Sequence, residues 1–356
     1  MKTNYFKLLT LLMVIVALIG SCKKDETKPD DENPQIEKKN NYLASGSYGD
    51  VITYSIDENN NTYSYTNETT GQSDSGTFTT SSNTNLTGVY EVSIGGENFY
   101  AVELAEKVFA TSLPSGRAEN KLCFGISADL DLSTNYSMAD LSGKYIFIVY
   151  DDNHSGSHWG GYDLKSDGTY TWNYGPDDET TFDEATHFAG GGSGTWVLSS
   201  SNSSRVIFTE GGIDYEGTIY PGKAMLVDNG VGGGFSIGIK YPDTHTTQSS
   251  IAGTYKYLDI IVNTSNPETG VGYYTLPATG GDVNYYYKYN GSSGEGSGNC
   301  YDFAPVSQVN NMFKTLADYG GIVYTTWFII LPGEVMLYFS ASPTELVSYG
   351  IGAKIN

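Results

Sequence analysis

Three stretches of the chain carry the same landmarks in the same order, and this repetition limits the folds that are open to it. Each stretch closes on a short segment centred on a glycine, at Gly125, Gly238 and Gly352. Successive glycines are 113 and 114 residues apart. A fixed period of this kind indicates tandem copies of one structural unit. The sequence predicts three modules, at residues 42–129, 140–242 and 250–356.

Each module also has an opening motif and a late turn. The openings all end in tyrosine: Gly46-Ser47-Tyr48, Gly143-Lys144-Tyr145 and Gly253-Thr254-Tyr255. The turns are Ala105-Glu106-Lys107, Pro221-Gly222-Lys223 and Pro332-Gly333-Glu334. Pro-Gly favours a turn because proline presets φ and glycine accepts positive φ. A turn is therefore expected before the closing segment of every module.

Aromatic residues alternate with polar ones in the middle of each module. The sets are Tyr63 and Tyr65; Tyr170, Trp172 and Tyr174; and Tyr285, Tyr287 and Tyr289. On a strand, a period of two puts each set on one face of the sheet. The chain also has 43 glycines, 30 tyrosines and only 17% charged residues. These features predict an all-β protein of three tandem antiparallel modules, each a β-barrel or a β-sandwich.

The third module departs from the shared pattern at residues 306–319. Apolar residues recur there at helical spacing, namely Val309, Met312, Phe313 and Leu316. This spacing predicts a short helix in the third module.

The Gly-x-Tyr openings resemble the Gly-x-Trp motif that opens lipocalin-type barrels. Tyrosine replaces tryptophan in all three modules, and the likeness is confined to these few residues. The resemblance implies a calycin or lipocalin-like up-and-down barrel in preference to a sandwich, and it implies no ligand.

The N-terminus has the pattern of a secretion signal. Lys2 and Lys7 precede about 12 apolar residues at 8–19, fewer than the ~20 that a membrane-spanning helix needs. The following Leu18-Ile19-Gly20-Ser21-Cys22 resembles the lipobox of bacterial lipoproteins. The resemblance implies removal of signal peptide 1–21 and attachment of diacylglycerol and an N-acyl chain such as palmitate to Cys22.

Residues 22–41 are predicted to be a disordered acidic tether, since they are polar and poor in apolar residues. Lys23-Lys24-Asp25-Glu26 within it resembles the export signal of Bacteroidota-type surface lipoproteins. That resemblance implies an anchor in the outer membrane that faces the cell exterior. The run is equally consistent with a plain solvated tether.

Charge limits the partners of the mature chain. Removal of residues 1–21 leaves 17 basic and 41 acidic residues, a formal charge of −24. Nucleic acids bind through basic surfaces, so they are not expected as partners. Neutral ligands and cations remain open.

Aromatic side chains provide the candidate ligand-binding residues, because their faces stack on sugar rings. We select Trp159, Trp172 and Tyr174. Trp159 lies in a glycine-rich segment and is expected to be an exposed platform. The alternation around Trp172 is also what a half-buried core strand shows, so both interpretations stay open there.

Two polar segments could in principle hold a metal ion. Asp151, Asp152, His154 and His158 fall within one short segment. A second group could offer carboxylates to Ca²⁺: Asp177, Asp178, Glu179, Asp183, Glu184 and His187. Neither has the ligand spacing of a known metal site, so we assign no metal and interpret both as polar loops.

No catalytic motif stands out in the sequence. It has no His-Glu-x-x-His and no phosphate loop. We therefore predict a non-enzymatic surface lipoprotein that binds an extracellular glycan or protein. The alternatives are an accessory subunit of an outer-membrane protein complex and, third, a hydrolase. Whether Cys123 and Cys300 form a disulfide is left open.

Overall fold

A computed structural model describes residues 39–150, 159–176, 179–262, 268–290, 294–342 and 346–355. Nearly all regular structure in them is antiparallel β-strand, which confirms the all-β fold class. The helices are short: α1 (Leu132–Asn135), α2 (Met138–Leu141), α3 (Glu184–His187) and α4 (Gln248–Ile251), with 3-10 turns at Thr84–Leu86 and Glu179–Thr181. Within the described ranges, no helix has the length and apolar character to cross a membrane.

The strands form three sheets, one for each repeat. The first contains β1 (Asn40–Gly46), β2 (Val51–Asp57), β3 (Thr62–Asn67), β4 (Gln72–Thr77), β5 (Thr79–Thr80), β6 (Tyr90–Ile94), β7 (Glu97–Leu104), β8 (Val108–Thr111) and β9 (Cys123–Ser127). The second contains β10 (Gly143–Tyr150), β11 (Trp159–Leu164), β12 (Thr169–Tyr174), β13 (Gly192–Leu198), β14 (Val206–Glu210), β15 (Ile213–Tyr220), β16 (Ala224–Asp228) and β17 (Phe235–Lys240). The third contains β18 (Gly253–Ile261), β19 (Glu268–Leu276), β20 (Val283–Tyr289), β21 (Glu295–Pro305), β22 (Met312–Tyr319), β23 (Ile322–Leu331), β24 (Val335–Ala341) and β25 (Leu346–Lys354).

The second and third sheets are closed eight-stranded up-and-down barrels, here called barrel 2 and barrel 3. Their fourth strands, β13 and β21, each pair with the third strand through their first half and with the fifth strand through their second half. The first sheet, here called barrel 1, has the same strand order but is not closed by strand pairing: its fourth strand is interrupted at Phe78, and the two parts, β4 and β5, are the edges of the sheet. Of the two architectures left open by the sequence, the barrel is therefore the one found.

A tyrosine and a short helix close one end of barrels 2 and 3. The Tyr145 hydroxyl donates to the Leu141 carbonyl at the end of α2 (2.8 Å), and the Tyr255 hydroxyl donates to the Ile251 carbonyl at the end of α4 (3.0 Å). The Lys240 ammonium lies 5.0 Å from the Tyr145 ring centre. Gly143 has φ +135°, and a Cβ there would lie 1.9 Å from the Lys240 Nζ atom. The glycine of the opening motif therefore makes room for this lysine.

The match of Gly46-Ser47-Tyr48 to the other two openings is wrong. Strand register pairs the closing glycines Gly125, Gly238 and Gly352 with Ala44, Phe147 and Tyr257. The residue two positions earlier is Tyr42 in barrel 1, Tyr145 in barrel 2 and Tyr255 in barrel 3. The true counterpart of the opening tyrosine is Tyr42, and the motif does not mark it because Asn40 stands where the other two openings have glycine.

The helix predicted at residues 306–319 is also wrong, because Met312–Tyr319 is strand β22. Met312 packs into a core outside the barrel, whereas Phe313 packs into the barrel interior. A strand that is apolar on both faces loses its period of two and imitates a helical pattern.

The three barrels pack around one shared hydrophobic core, and residues 39–356 form a single compact unit. On the closing strands the glycine faces the barrel interior, while its neighbours point outward into this core. They include Phe124 and Ile126, Ile237 and Ile239, and Ile351. Burial of an aliphatic side chain stabilises by about 1.5–3 kcal/mol, so this core is a large term in the stability of the whole unit.

Polar contacts also join every pair of barrels. The turn residues Lys223 and Glu334 form an ion pair between barrels 2 and 3 (3.0 Å). The Lys256 ammonium of barrel 3 donates to the Asn85 carbonyl of barrel 1 (2.6 Å). Arg205 of barrel 2 pairs with Glu68 of barrel 1 (2.5 Å). The predicted turns thus lie where expected and, in two cases, contact each other.

Cys123 and Cys300 are both free and buried, in barrels 1 and 3 respectively. The disulfide that the sequence left open is therefore absent.

Candidate functional site

The aromatic stripe of barrel 2 faces the barrel interior and becomes more exposed along its length. Tyr170 is buried, Trp172 is half-buried, and Tyr174 is 43% exposed. One face of β12 therefore changes from core at Tyr170 to solvent at Tyr174. The interpretation of the stripe as core fits its Tyr170 end, and the interpretation as an exposed surface fits its Tyr174 end.

The exposed end of this stripe lines a cavity of about 340 Å³ in barrel 2. Aromatic rings contribute much of its wall, including Tyr162, Tyr170, Trp172, Tyr174 and Tyr215. Polar groups converge on it as well, from Glu210, Asn229 and Ser236. A concave pocket that combines aromatic walls with a few polar groups is the usual form of a small-ligand site.

Glu210 fixes the orientation of the indole. Its Oε2 atom accepts a hydrogen bond from Trp172 Nε1 (3.0 Å) and one from the Tyr170 hydroxyl (3.3 Å). Trp172 and Tyr174 then meet edge to face, with ring centres 5.2 Å apart. Burial, together with the Glu210 charge, raises the pKa of Tyr170, so its hydroxyl remains a donor at neutral pH. The ring surfaces at the mouth are held in place before any ligand arrives.

The glycines across from the stripe make room for its rings. Trp172 pairs with Gly192, and Tyr170 pairs with Gly194 on the neighbouring strand. A Cβ at Gly192 would lie 2.3 Å from Trp172 Nε1, and one at Gly194 would lie 2.7 Å from the Tyr170 ring. The flat rings therefore lie across bare backbone. In barrel 3, Gly296 and Gly298 face Tyr287 and Tyr285 in the same way.

Trp159 does not form an exposed platform, and that expectation is wrong. It is the first residue of β11, is 5% exposed, and belongs to the shared core. Its ring packs against Phe182 with centres 5.5 Å apart and lies over Gly175, where a Cβ would be 2.4 Å away. Gly175, which follows β12, allows the indole to lie flat on the backbone.

Barrel 3 has a cavity in the corresponding interior, of about 250 Å³. Six tyrosines line it: Tyr257, Tyr274, Tyr285, Tyr287, Tyr289 and Tyr324. Asp259 and Cys300 lie in its wall, and burial raises the pKa of the Cys300 thiol to about 12, so the thiol is neutral and not a nucleophile at neutral pH. Tyr286 points the other way, into the shared core, where Asn83 of barrel 1 donates to its hydroxyl (2.7 Å).

The interior of barrel 1 is nearly filled, with a cavity of only about 20 Å³. Tyr54 and Phe109 pack at 5.0 Å between ring centres, and Phe78 and Tyr90 at 4.5 Å. Three copies of one scaffold therefore have two different interiors, open in barrels 2 and 3 and filled in barrel 1.

The acidic segment considered for Ca²⁺ has other partners where the structure describes it. Asp183 caps α3, accepting from Thr186 Oγ1 (2.7 Å), while Glu184 pairs with Lys144 (2.8 Å) and Glu179 with Lys314 (2.5 Å). His187 Nδ1 contacts the Asp183 backbone (2.8 Å). In the described part of the chain, no three His, Cys, Asp or Glu side chains converge as metal ligands would. Cys22 and the candidates Asp151, Asp152, His154, His158, Asp177 and Asp178 lie outside the described residues.

Comparison with known proteins adds little to this geometry. No protein-family model and no curated protein matches the chain. A solved structure that it resembles is the crystal structure of kievitone hydratase from Nectria haematococca, with 10% sequence identity over 89% of this chain and 88% of that chain and a TM-score of 0.21. A likeness at that level carries no argument about activity.

Proposed function

We propose that this protein is a non-enzymatic surface lipoprotein that binds an extracellular glycan at the mouth of barrel 2. The leader and lipobox-like sequence support an anchor on Cys22, and the Lys-Lys-Asp-Glu run supports outward display. The proposed anchor lies 17 residues before Lys39, the first described residue, and those residues would serve as the tether.

One observation carries the choice of ligand class, namely the pairing of exposed aromatic faces with polar groups at one cavity mouth. Tyr174 and Trp172 offer ring surfaces on which the C–H face of a sugar can stack. Glu210 and Asn229 lie in the same wall and can accept or donate hydrogen bonds to hydroxyl groups. A protein-only partner would not need this recessed arrangement of rings and polar atoms.

The test is binding of residues 23–356 to a panel of extracellular polysaccharides and their oligosaccharides, measured by affinity electrophoresis and calorimetry. This protein contains the whole compact unit at 39–356. Trp172→Ala should weaken binding about tenfold, since a lost ring contact costs roughly 1–1.5 kcal/mol. Tyr174→Ala should act in the same direction.

The matched control is Tyr301→Ala, which removes an exposed tyrosine that lies outside both cavities. It should leave binding unchanged. The proposal is lost if no polysaccharide binds, or if Tyr301→Ala and Trp172→Ala have equal effects.

A second candidate function is supported by a separate observation. Corresponding hairpins of the three barrels each expose an isoleucine, with exposed fractions of 46% for Ile94, 59% for Ile213 and 49% for Ile322. Ile94 ends the first strand of its hairpin, whereas Ile213 and Ile322 begin the second strand of theirs. Exposed apolar side chains at the same hairpin tip of each barrel suit a role as an accessory subunit that docks on an outer-membrane protein. Extraction in mild detergent decides: co-purification with a partner supports this role, and extraction of the lipoprotein alone opposes it.

A further inference from the structure

The cavity of barrel 3 contains a buried carboxylate that the scaffold itself does not need. Asp259 lies on β18, lines the cavity and is 1% exposed. Strand register places it opposite Gly350, two positions beyond the pair Tyr257–Gly352. The same position in barrel 2 is Val149, opposite Ser236. A barrel of this plan therefore folds with an apolar residue at this point.

The two carboxylate oxygens of Asp259 differ in their hydrogen bonding. Its Oδ2 atom accepts from the hydroxyls of Tyr289 (2.6 Å) and Tyr338 (2.7 Å). Its Oδ1 atom has no hydrogen-bond partner among the described residues. Burial of a carboxylate oxygen without a partner is costly, so such a group suggests a function.

The wall around this carboxylate consists largely of tyrosine rings. Tyr257 and Tyr274 stack at 4.9 Å between ring centres, and Tyr287 lies 6.2 Å from Tyr285 and 5.4 Å from Tyr289. No lysine, arginine or histidine occurs among the described residues that line the cavity. The faces of aromatic rings attract cations, and a buried carboxylate adds a full negative charge.

We propose that the cavity of barrel 3 binds a small organic cation, a primary amine or quaternary ammonium ion, between its tyrosine rings and Asp259. The ligand provides the positive charge that the described wall lacks. The volume of about 250 Å³ suits a compact molecule. This site is separate from the one proposed in barrel 2, and either can fail without the other.

Titration of Asp259 makes the binding depend on pH. Burial raises the pKa of Asp259 to about 6, and the hydrogen bonds from Tyr289 and Tyr338 oppose that rise. The other titratable groups in the cavity wall are Tyr257, Tyr274, Tyr285, Tyr287, Tyr324 and Cys300. Burial keeps the pKa of Tyr257, Tyr289 and Tyr338 well above 10, so these three do not ionise near neutrality. A cation of constant charge should bind about tenfold more weakly at pH 5 than at pH 7, because the ionised fraction of Asp259 falls by that factor.

The experiment uses residues 23–356 and isothermal calorimetry with choline, tyramine and putrescine as probes. The neutral carbon isostere of choline, 3,3-dimethyl-1-butanol, tests whether charge matters. Choline should bind at least tenfold more tightly than the isostere at pH 7.5, and Asp259→Asn should reduce its affinity at least tenfold. Trp172→Ala, in barrel 2, should have no effect.

The matched control is Asp228→Asn, which changes another buried aspartate with a raised pKa, outside both cavities. It should leave choline affinity within twofold of the original. The melting temperature of Asp259→Asn should not fall, so its loss of affinity cannot be ascribed to unfolding. Equal affinity for choline and its isostere, full affinity in Asp259→Asn, or no binding of any of the three cations overturns the proposal.

Discussion

Asp228, a single buried residue, links the stability of the protein to pH. It is 6% exposed and lies where barrel 2 meets barrel 1, accepting hydrogen bonds from Ser45 Oγ and from the Gly230 amide (2.8 Å to the amide). Burial raises its pKa to about 6, and these two hydrogen bonds oppose that rise. The folded chain therefore holds the proton more tightly than the unfolded chain does. The resulting stabilisation is present at low pH and is lost as the pH rises through about 6.

Asp228→Asn should therefore stabilise the protein at pH 7.5 by ~2–3 kcal/mol, because the buried charge disappears. The amide oxygen can still accept from the Gly230 amide, and the amide nitrogen can donate to the Ser45 hydroxyl, which reverses the direction of that hydrogen bond. At pH 4 the two proteins should differ little. Urea unfolding at both pH values measures this. The control is Asp282→Asn at an exposed position, which should change stability little at either pH. An equal gain from Asp228→Asn at both pH values would contradict the titration argument.

Other residue positions explain what the sequence could and could not predict about the site. Trp172 and Tyr174 were selected from the alternation alone, and both line the cavity of barrel 2. Asp259 was missed because nothing local marks it: its importance comes from Tyr289 and Tyr338, which are distant in sequence and reach it only across the closed barrel. Trp159 was misjudged because the glycines around it accommodate a buried ring as readily as they form a loop.

Neighbouring strands share a packing pattern that neither strand shows by itself. The aromatic residues of the third strand lie across glycines of the fourth, as in Tyr63 with Gly76 and Tyr285 with Gly298. The three atoms nearest to a Cβ at Gly76 would all belong to the Tyr63 side chain, with the hydroxyl oxygen 2.8 Å away. Strand propensity alone therefore predicts that alanine at this position stabilises the protein, whereas the packing of the ring predicts that it destabilises the protein.

Gly76→Ala should destabilise barrel 1 by about 1–2 kcal/mol, because the methyl group forces the Tyr63 ring away. In a Tyr63→Ala background the same change should be neutral or stabilising, since alanine restricts the unfolded chain more than glycine does. A double-mutant cycle from urea unfolding gives the coupling between the two positions. Additive effects of the two substitutions would show that the ring does not constrain the glycine.

A pair of adjacent glycines is a further element that is repeated in all three barrels. They form the turn of the corresponding hairpin in each barrel, at Gly95-Gly96, Gly211-Gly212 and Gly320-Gly321. Both glycines have positive φ in every case. Adjacent glycines with positive φ form the tight turn that suits the twist of a hairpin. The wrong prediction of a helix at residues 306–319 has a different cause. Met312 and Phe313 point to different cores, so the spacing of apolar residues in β22 depends on tertiary contacts that the local sequence does not specify.

At the scale of the whole molecule, the repeat predicted the modules but not their association. Strand β10 is apolar on both faces, because Phe147 faces the interior of its own barrel while Ile146 and Ile148 face the shared core. Such a strand indicates that both faces are buried, and it does not say against what. A row of independent domains and a compact cluster share this sequence pattern, and the structure has the compact cluster.

The shared core predicts that the three barrels unfold together. Ile237→Ala removes a fully buried side chain of barrel 2 that points into this core, and it should destabilise the protein by about 2–4 kcal/mol. Because the core joins all three barrels, amide hydrogen exchange should accelerate in barrels 1 and 3 as well as in barrel 2, and calorimetry should show one transition. Val197→Ala, at a position 50% exposed on the outside of barrel 2, is the control and should change stability by less than about 0.5 kcal/mol. If the faster exchange in Ile237→Ala stays within residues 143–240, the barrels are energetically independent, and packing in their common core does not make them unfold together.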